Sequence, residues 1–394
     1  MTRVLISGAG VAGPTLAYWL RRYGFTPTIV ERAPRLRTGG YVIDFWGVGY
    51  RVASRMGVIA TIQDHAYHVQ TLRIVDRRGA TVATVPTSAF IRVAGPGFVT
   101  LPRSDLAAAV YRALDDEVET IFDDSIASLV EHADAVEVTF DRHEPRVFQL
   151  VVGADGLHSR TRGLAFGPDA RFERYLGIKV AAFVAEGYRP RDELTYVMYT
   201  EVGHHISRLS LRDDRTMFLF TFADADPALP ASVDEQKDVL RRRFQHDGWE
   251  CPAILDALAG SADLYFDRVS QIDLGGDWAR GRVTLVGDAA CCVSLLGGQG
   301  SALAMAGAYV LAGELYRAAG DHAQAFRRYQ QRLAPFIAAK QRAARRFAGA
   351  FAPRSRLSLF AQRQLFRLSA IPGVAAVITG RGFRDAIELP AYDA

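Results

Sequence analysis

The chain opens on an unbroken apolar run. Val4, Leu5 and Ile6 in "RVLIS" show no polar alternation, which is the pattern of a strand covered on both faces of a parallel sheet. The glycine turn "GAGVAG", the helical stretch "PTLAYWLRRYG" and a second strand "FTPTIVE" follow, so the first thirty residues read strand, turn, helix, strand. Residues 71–86, "TLRIVDRRGATVATVP", alternate around a glycine and predict a hairpin. "LPRSDLAAAVYRAL" predicts a helix capped by Ser104. "VEVTFDRHEPRVFQLVVGADG" predicts a further hairpin that ends in a buried strand. From about 177 to 223 the texture changes, because "GIKVAAFVAE", "ELTYVMYTEVG", "HISRLSLRDD" and "TMFLFTFA" are strand candidates with no helix between them. That predicts an inserted antiparallel sheet, followed by a polar helix near 233–246. Residues 283–315, "VTLVGDAACCVSLLGGQGSALAMAGAYVLAGEL", start as a buried strand, break into small residues and glycines, and continue as an apolar helix from about Ser301. Helices fill the remainder, with a break at "IPG", 371–373.

A length of 394 residues allows one large domain or two intimate ones, with room to bury a large ligand. Hydrophobic content of 49% with 23% charged residues is that of a globular protein, and no apolar run reaches the length of a transmembrane helix. The 47 basic and 43 acidic residues nearly cancel, so the formal +4 gives no reason to expect a nucleic-acid partner. Cys251, Cys291 and Cys292 have neither metal-ligand spacing nor the even number of a disulfide framework, and no histidine motif joins them. No metal site is expected, and the thiols should be reduced. No signal peptide precedes the first strand, so the expected location is cytoplasmic.

The chemistry begins in the first turn. Gly8, Gly10 and Gly13 form G-x-G-x-x-G between a strand and a helix: one glycine for the turn, one for close approach of a pyrophosphate, one for helix packing on the strand. Ala12 lies within the loop, and the phosphates would meet the positive end of the helix. Glu31 ends the second strand where a carboxylate receives the ribose of an adenosine, which disfavours a 2′-phosphate and predicts FAD or NAD. Arg32 beside it is a candidate adenine contact. Asp155–Gly156 in "VVGADGLHSRTR" repeats the strand-then-polar-turn pattern and is also readable as an Asx turn that caps a helix. Gly287–Asp288 closes the third buried strand, at the sheet end where open α/β folds bind ligands, so Asp288 can accept hydrogen bonds from a ribityl chain. Gly298, Gln299, Gly300 and Ser301 then allow backbone close to a flat ring and aim a helix amino end at it, where negative charge of a reduced flavin collects. Together the three motifs predict FAD.

"GAGVAG" with Glu31, "GADG" and "GDAA…GGQG", in this order over nearly the whole chain, resemble the fingerprints of the class A FAD-dependent monooxygenases, the aromatic hydroxylases of the para-hydroxybenzoate hydroxylase fold. The resemblance implies an α/β protein. A Rossmann-type FAD-binding domain (1–70, 97–170 and 272–345) would carry an inserted antiparallel-sheet substrate domain (71–96 and 171–271) and a C-terminal helical segment (346–394). It also implies that Arg103 in "LPRSDL" contacts the flavin, that Asp155 and Gly156 serve FAD and pyridine nucleotide, and that Asp288 holds the ribityl chain. The implied activity is hydroxylation or epoxidation of a phenolic, polycyclic or polyketide-like molecule through a flavin C4a-hydroperoxide formed from O₂, with NAD(P)H as reductant. One departure concerns the loop over the ring: Cys291, Cys292 and Leu295 stand where the family usually has histidine and proline.

A substrate pocket is expected from the loop "GGYVIDFWGVGY" and the inserted sheet, with Asp44, Trp46, Tyr196, Met198, His205, Phe220 and Leu295 as its candidate lining. Tyr41, Phe45, Tyr199 and His204 are further candidates, and Gly40 is a candidate flavin neighbour. The basic stretch "KQRAARRFAGAFAPRSR" reads as a solvated helix, with contact to a membrane surface or a protein partner as the alternative. Three other functions remain compatible: the same fold using FAD as a structural wall for a non-redox cyclisation, a binding protein without turnover, and an NAD-dependent dehydrogenase.

Overall fold

The computed structural model describes residues 1–37, 41–88, 91, 97–369 and 387–392, and of 347–351 the backbone alone. Gly40 and the break expected at 371–373 lie outside the described residues.

The three buried runs become neighbouring strands. A six-stranded sheet has the order Ala279–Arg280, Val283–Leu285, Leu150–Gly153, Arg3–Ser7, Thr26–Glu31, Glu119–Phe122, and every pairing but the first is parallel. Because Arg3–Ser7 sits between Thr26–Glu31 and Leu150–Gly153, with Val283–Leu285 next, the loops after these strands emerge side by side at one sheet end. Sequence positions 8, 155 and 288 are brought together by this order alone. Helices Ala12–Arg22 and Gly300–Arg317 pack on each other against the sheet, and Gly49 lets helix Val48–Arg55 join them: a Cβ there would stand 2.4 Å from the Ala302 Cα.

The inserted sheet has seven strands, in the order Tyr265–Ile272, Glu173–Glu186, Arg215–Ala223, His204–Ser210, Thr195–Glu201, Thr71–Val75, Thr81–Pro86. It is antiparallel except where Thr195–Glu201 runs parallel to Thr71–Val75, a pairing that joins the early hairpin to the later strands. Both faces are covered. One packs Phe183, Phe218, Phe220 and Phe222 against helices Val233–Phe244 and Cys251–Gly260; the other faces the nucleotide-type layer through Val180, Leu219 and Leu295.

One expectation on the helices is corrected. Helix Arg103–Arg112 begins one residue before Ser104, which therefore lies in its first turn and caps nothing. Helix His322–Phe351 runs without interruption through 345–346, and Asp321 caps its start through the Gln324 amide. No described helix is long and apolar enough to cross a membrane.

Residues 387–392 return as a strap across the nucleotide-type layer. Arg51 donates to the Ile387 carbonyl (3.0 Å), Arg55 and Tyr309 to that of Pro390 (2.9 and 2.7 Å) and Arg317 to that of Ala391 (2.6 Å). Tyr392 donates to the buried Glu314 carboxylate at 2.6 Å, and its ring fills the space a Cβ on Gly313 would occupy. Tyr392→Ala removes that ring and a partner of a buried acid, so it should cost about 3 kcal/mol. Thermal denaturation followed by circular dichroism should show the midpoint falling by several degrees.

Candidate functional site

Each glycine of the first loop has a separate geometric reason. Gly8 has φ +109° and faces the Ala154 carbonyl at a distance (2.7 Å from an added Cβ) that excludes a side chain. Gly13 presses helix Ala12–Arg22 onto the strand end, since a Cβ would lie 1.9 Å from the Gly8 oxygen. Gly10 differs: a Cβ there would meet nothing within 4 Å, because the position opens into a cleft of about 360 Å³. Glu31 borders the same cleft. Its carboxylate accepts the amides of Ala9 (2.8 Å) and Ala33 (2.9 Å), which fixes it and leaves a lone pair on each oxygen for a ligand hydroxyl. Arg32 and Arg37 line the rim.

Asp155 lines the cleft, but its oxygens are committed to the chain. Ser159 Oγ donates to one (2.5 Å), while the Thr161 amide and hydroxyl donate to the other (2.9 Å each). No Asx turn forms: Asp155 accepts an amide six residues on in the first turn of helix Arg160–Phe166, whose cap is Ser159, and Gly156 turns the chain at φ +81°. Sequence reasoning missed the residue that ties this loop to the third motif. Arg162 is fully buried and donates to the Leu157 carbonyl (2.6 Å), the Ala289 carbonyl (3.0 Å) and the Asp169 carboxylate (2.7 Å). Nothing in "HSRTR" distinguishes this arginine from a solvated one.

Gly287, at φ +64°, turns the chain so that Asp288 begins the short helix Asp288–Cys291 rather than ending the strand. A Cβ on Gly287 would lie 3.2 Å from that of Ala12, so the first and third loops touch. Burial pushes the Asp288 carboxyl up, against the pull of the Arg103 guanidinium and the Cys292 thiol. Gly300 packs against this carboxylate, 3.8 Å from where its Cβ would be, and Gly298 is left-handed (φ +63°) beneath the Trp46 ring. Helix Gly300–Arg317 starts after the buried Gln299 with no side-chain cap, as does Ala12–Arg22. Ser159, Ser232 and Asp321 cap three other helices. The uncapped amino end of Ala12–Arg22 meets a cleft lined by the carboxylates of Glu31, Asp124 and Asp155 and by Arg103, a donor and acceptor set that fits FAD; Asp288 and the Gly300–Ser301 helix end lie outside its lining and are linked to it through Arg103, whose charge acts on the Asp288 carboxyl.

His158 also lines the cleft, bonded to both oxygens of Asp267 at 3.1 Å. That hydrogen bond raises its pKa, with burial opposing. Tyr41 and Tyr265 pack with ring centres 5.3 Å apart at the inner end.

The pocket candidates divide by strand parity. Tyr196, Met198 and His205 point to the face shared with Leu219, where Leu295 packs; Tyr196 also senses the Asp44 carboxylate. Asp44 lies at an exposed position of strand Val42–Phe45 and accepts a hydrogen bond from Thr100 (2.6 Å), while desolvation by the groups packed around its carboxyl pushes it up despite that bond. Trp46 stands over Gly298. His205 is 2% exposed, bonded to Thr200 at 2.9 Å, and burial lowers its pKa to about 4, so it is a neutral wall residue. Phe220 is not a pocket residue: it lies on the opposite face with Phe183 and Phe244, as do Tyr199 and His204, the latter paired with Asp247 at 2.7 Å. Phe45 is fully buried behind Asp44.

Residues 1–343 match a family model described as an FAD binding domain. An uncharacterized Mycobacterium tuberculosis protein, Rv1260, is 39% identical over 349 residues, 86% of this chain and 92% of that protein. A flavin-dependent monooxygenase of Legionella longbeachae is 33% identical over 348 residues, covering 86% and 87%. The crystal structure of the tetracycline destructase Tet(51) is 32% identical and covers all of both chains with a TM-score of 0.82.

Two outcomes test this geometry. Gly13→Ala should abolish folding, whereas Gly10→Val should retain the melting behaviour and weaken FAD binding at least about tenfold, measured by flavin fluorescence quenching. Asp267→Asn should move the His158 titration back down, read by imidazole NMR. The pair's contribution to stability is full below the ordinary histidine value of 6.5 and is lost as pH rises through the raised one.

Proposed function

The chain belongs to the FAD-binding flavin-dependent monooxygenases, and we propose that it hydroxylates or epoxidises a phenolic, polycyclic or polyketide-like small molecule with NAD(P)H as reductant. What supports this reading is a sheet face that carries Tyr196, Met198 and the neutral His205, with the Asp44 carboxyl within electrostatic reach of Tyr196, and Trp46 standing over Gly298. Support for a polycyclic substrate comes from the full-length similarity to a protein named for destroying tetracycline, a molecule of four fused rings. The expected site of action is the cytoplasm, where NAD(P)H is supplied.

When bound, FAD supplies the redox chemistry that activates O₂. The residues of this chain position and shield. The amino end of Ala12–Arg22 with Gly8 and Gly10 receives the pyrophosphate, Glu31 the adenosine ribose, and Asp288 with Arg103 the ribityl segment. Arg32 serves as a rim contact and Asp155 acts by shaping its loop. The Gly300 and Ser301 amides would serve the pyrimidine edge, where a helix amino end favours negative charge. The sheet face excludes water. Asp44, whose raised pKa keeps a proton on its carboxyl to higher pH, offers one oxygen to a substrate hydroxyl while the other is held by Thr100.

A second reading, FAD as a structural wall for a non-redox cyclisation, draws on the loop over the ring, where Cys291, Cys292 and Leu295 stand in the places of the family's histidine and proline.

Purified protein loaded with FAD should oxidise NADPH and take up O₂ faster when a polycyclic phenol from a panel is present, yielding a product heavier by one oxygen atom. Conversion without consumption of either would establish the cyclisation reading instead. Asp44→Asn should lower kcat/KM by about tenfold or more while FAD content stays unchanged, in steady-state kinetics on the active compound.

A further inference from the structure

Between Asp321 and Asp385 the sequence carries 13 Arg and Lys and no Asp or Glu. The whole chain is only +4, so the remainder is net negative and positive charge is concentrated in this stretch. Within it, helix Arg356–Ser369 lies against strand Thr81–Pro86. Its inner face is well anchored. Leu359 is buried, Phe366 packs on the Ile74, Ala83 and Val85 cluster, and Arg363 donates to the Thr200 carbonyl and to Glu201 at 3.3 Å each.

The outer face is apolar and open. Leu357, Phe360, Leu365 and Leu368 are 77, 60, 45 and 50% exposed. At 100° per residue they share an arc of about 140°, opposite the Leu359, Arg363 and Phe366 side. A single exposed leucine needs no explanation, but four large side chains on one arc of one helix do. Arg354, Arg356 and Arg367 are exposed beside them.

We propose that the outer face of helix Arg356–Ser369 docks on an anionic membrane surface. Charge complementarity selects this occupant. A second copy of the chain, docked face to face, would set the same acid-free cationic stretch against itself, and like charges oppose that. A nucleic acid would engage the arginines and leave the leucines and phenylalanine unused. An anionic bilayer uses both: the four apolar side chains enter the headgroup boundary while the arginines meet lipid phosphates, and this combination is what stable peripheral anchoring requires. The helix has 14 residues, too few to span, so it lies in the plane of the surface.

The test is co-sedimentation of the full FAD-loaded protein with vesicles of phosphatidylcholine alone, or of phosphatidylcholine with about one-third phosphatidylglycerol. Binding should require the anionic lipid and weaken as salt rises. Leu357→Glu combined with Phe360→Glu should reduce the partition coefficient about tenfold or more without changing the melting temperature or FAD binding. Val147→Glu, at an exposed apolar position on another element, should leave it unchanged. The proposal is overturned if anionic vesicles are not preferred, if the double variant binds like the parent, or if the double variant instead abolishes a dimer seen by light scattering in the absence of lipid.

Discussion

A buried cation sets the spacing of everything around the cofactor cleft. The Arg162 guanidinium is fully buried and is neutralised, among the described residues, by Asp169, and its remaining donors are satisfied on main-chain oxygens. Those oxygens belong to Leu157 and Ala289, one in each of two loops that are far apart in sequence. Moving either loop would strand a charge in the interior at a cost of several kcal/mol, so the second and third motifs are held at one separation. Buried amides extend the brace: Gln341 donates to the Ile272 and Cys292 carbonyls and Gln271 to that of Val293, which fixes the chain leading to Ser294 and Leu295.

Around this brace the molecule divides its labour. The nucleotide end is built mostly of backbone: glycines that permit contact, uncapped helix ends, and a carboxylate pinned by two amides. The pocket end is built of side chains on a sheet whose strands hold their positions through register. Side chains there can change without disturbing the loops proposed to carry FAD, which is how one fold can come to serve many substrates.

The difference also explains what could be read from the sequence. Gly8, Gly10, Gly13, Glu31 and Asp288 were legible because each occupies a fixed offset from a buried strand, and parallel order then brings those strand ends together. The inserted sheet was legible as strands but not as faces. Both of its sides are buried, one rich in phenylalanine and the other mixing Met217 and Leu219 with Thr200, His205, Ser207 and Thr221, so hydropathy alone could not say which side, that of Phe220 or that of its neighbour Thr221, turned to the pocket. Ser104 looked like a cap because helix starts are defined by backbone angles that composition leaves loose by a residue or two. Arg162 was invisible, since its bracing role depends on one acceptor, the Ala289 carbonyl, 127 residues away. The antiparallel reading of the insert missed one parallel pairing for the same reason, because a partner from residues 71–75 had to arrive from across the chain.

The strap at 387–392 has a consequence for how this polypeptide can be divided. Tyr23 near the start reaches the carbonyl of Tyr392, 369 residues away, so the layer that begins with the first strand is closed by the segment that follows the last described helix. No excised stretch can therefore contain that layer entire. A shortened version meant to isolate it would lose either the inner strands or the seal over Glu314, and dissection has to proceed by removing the inserted sheet from the middle.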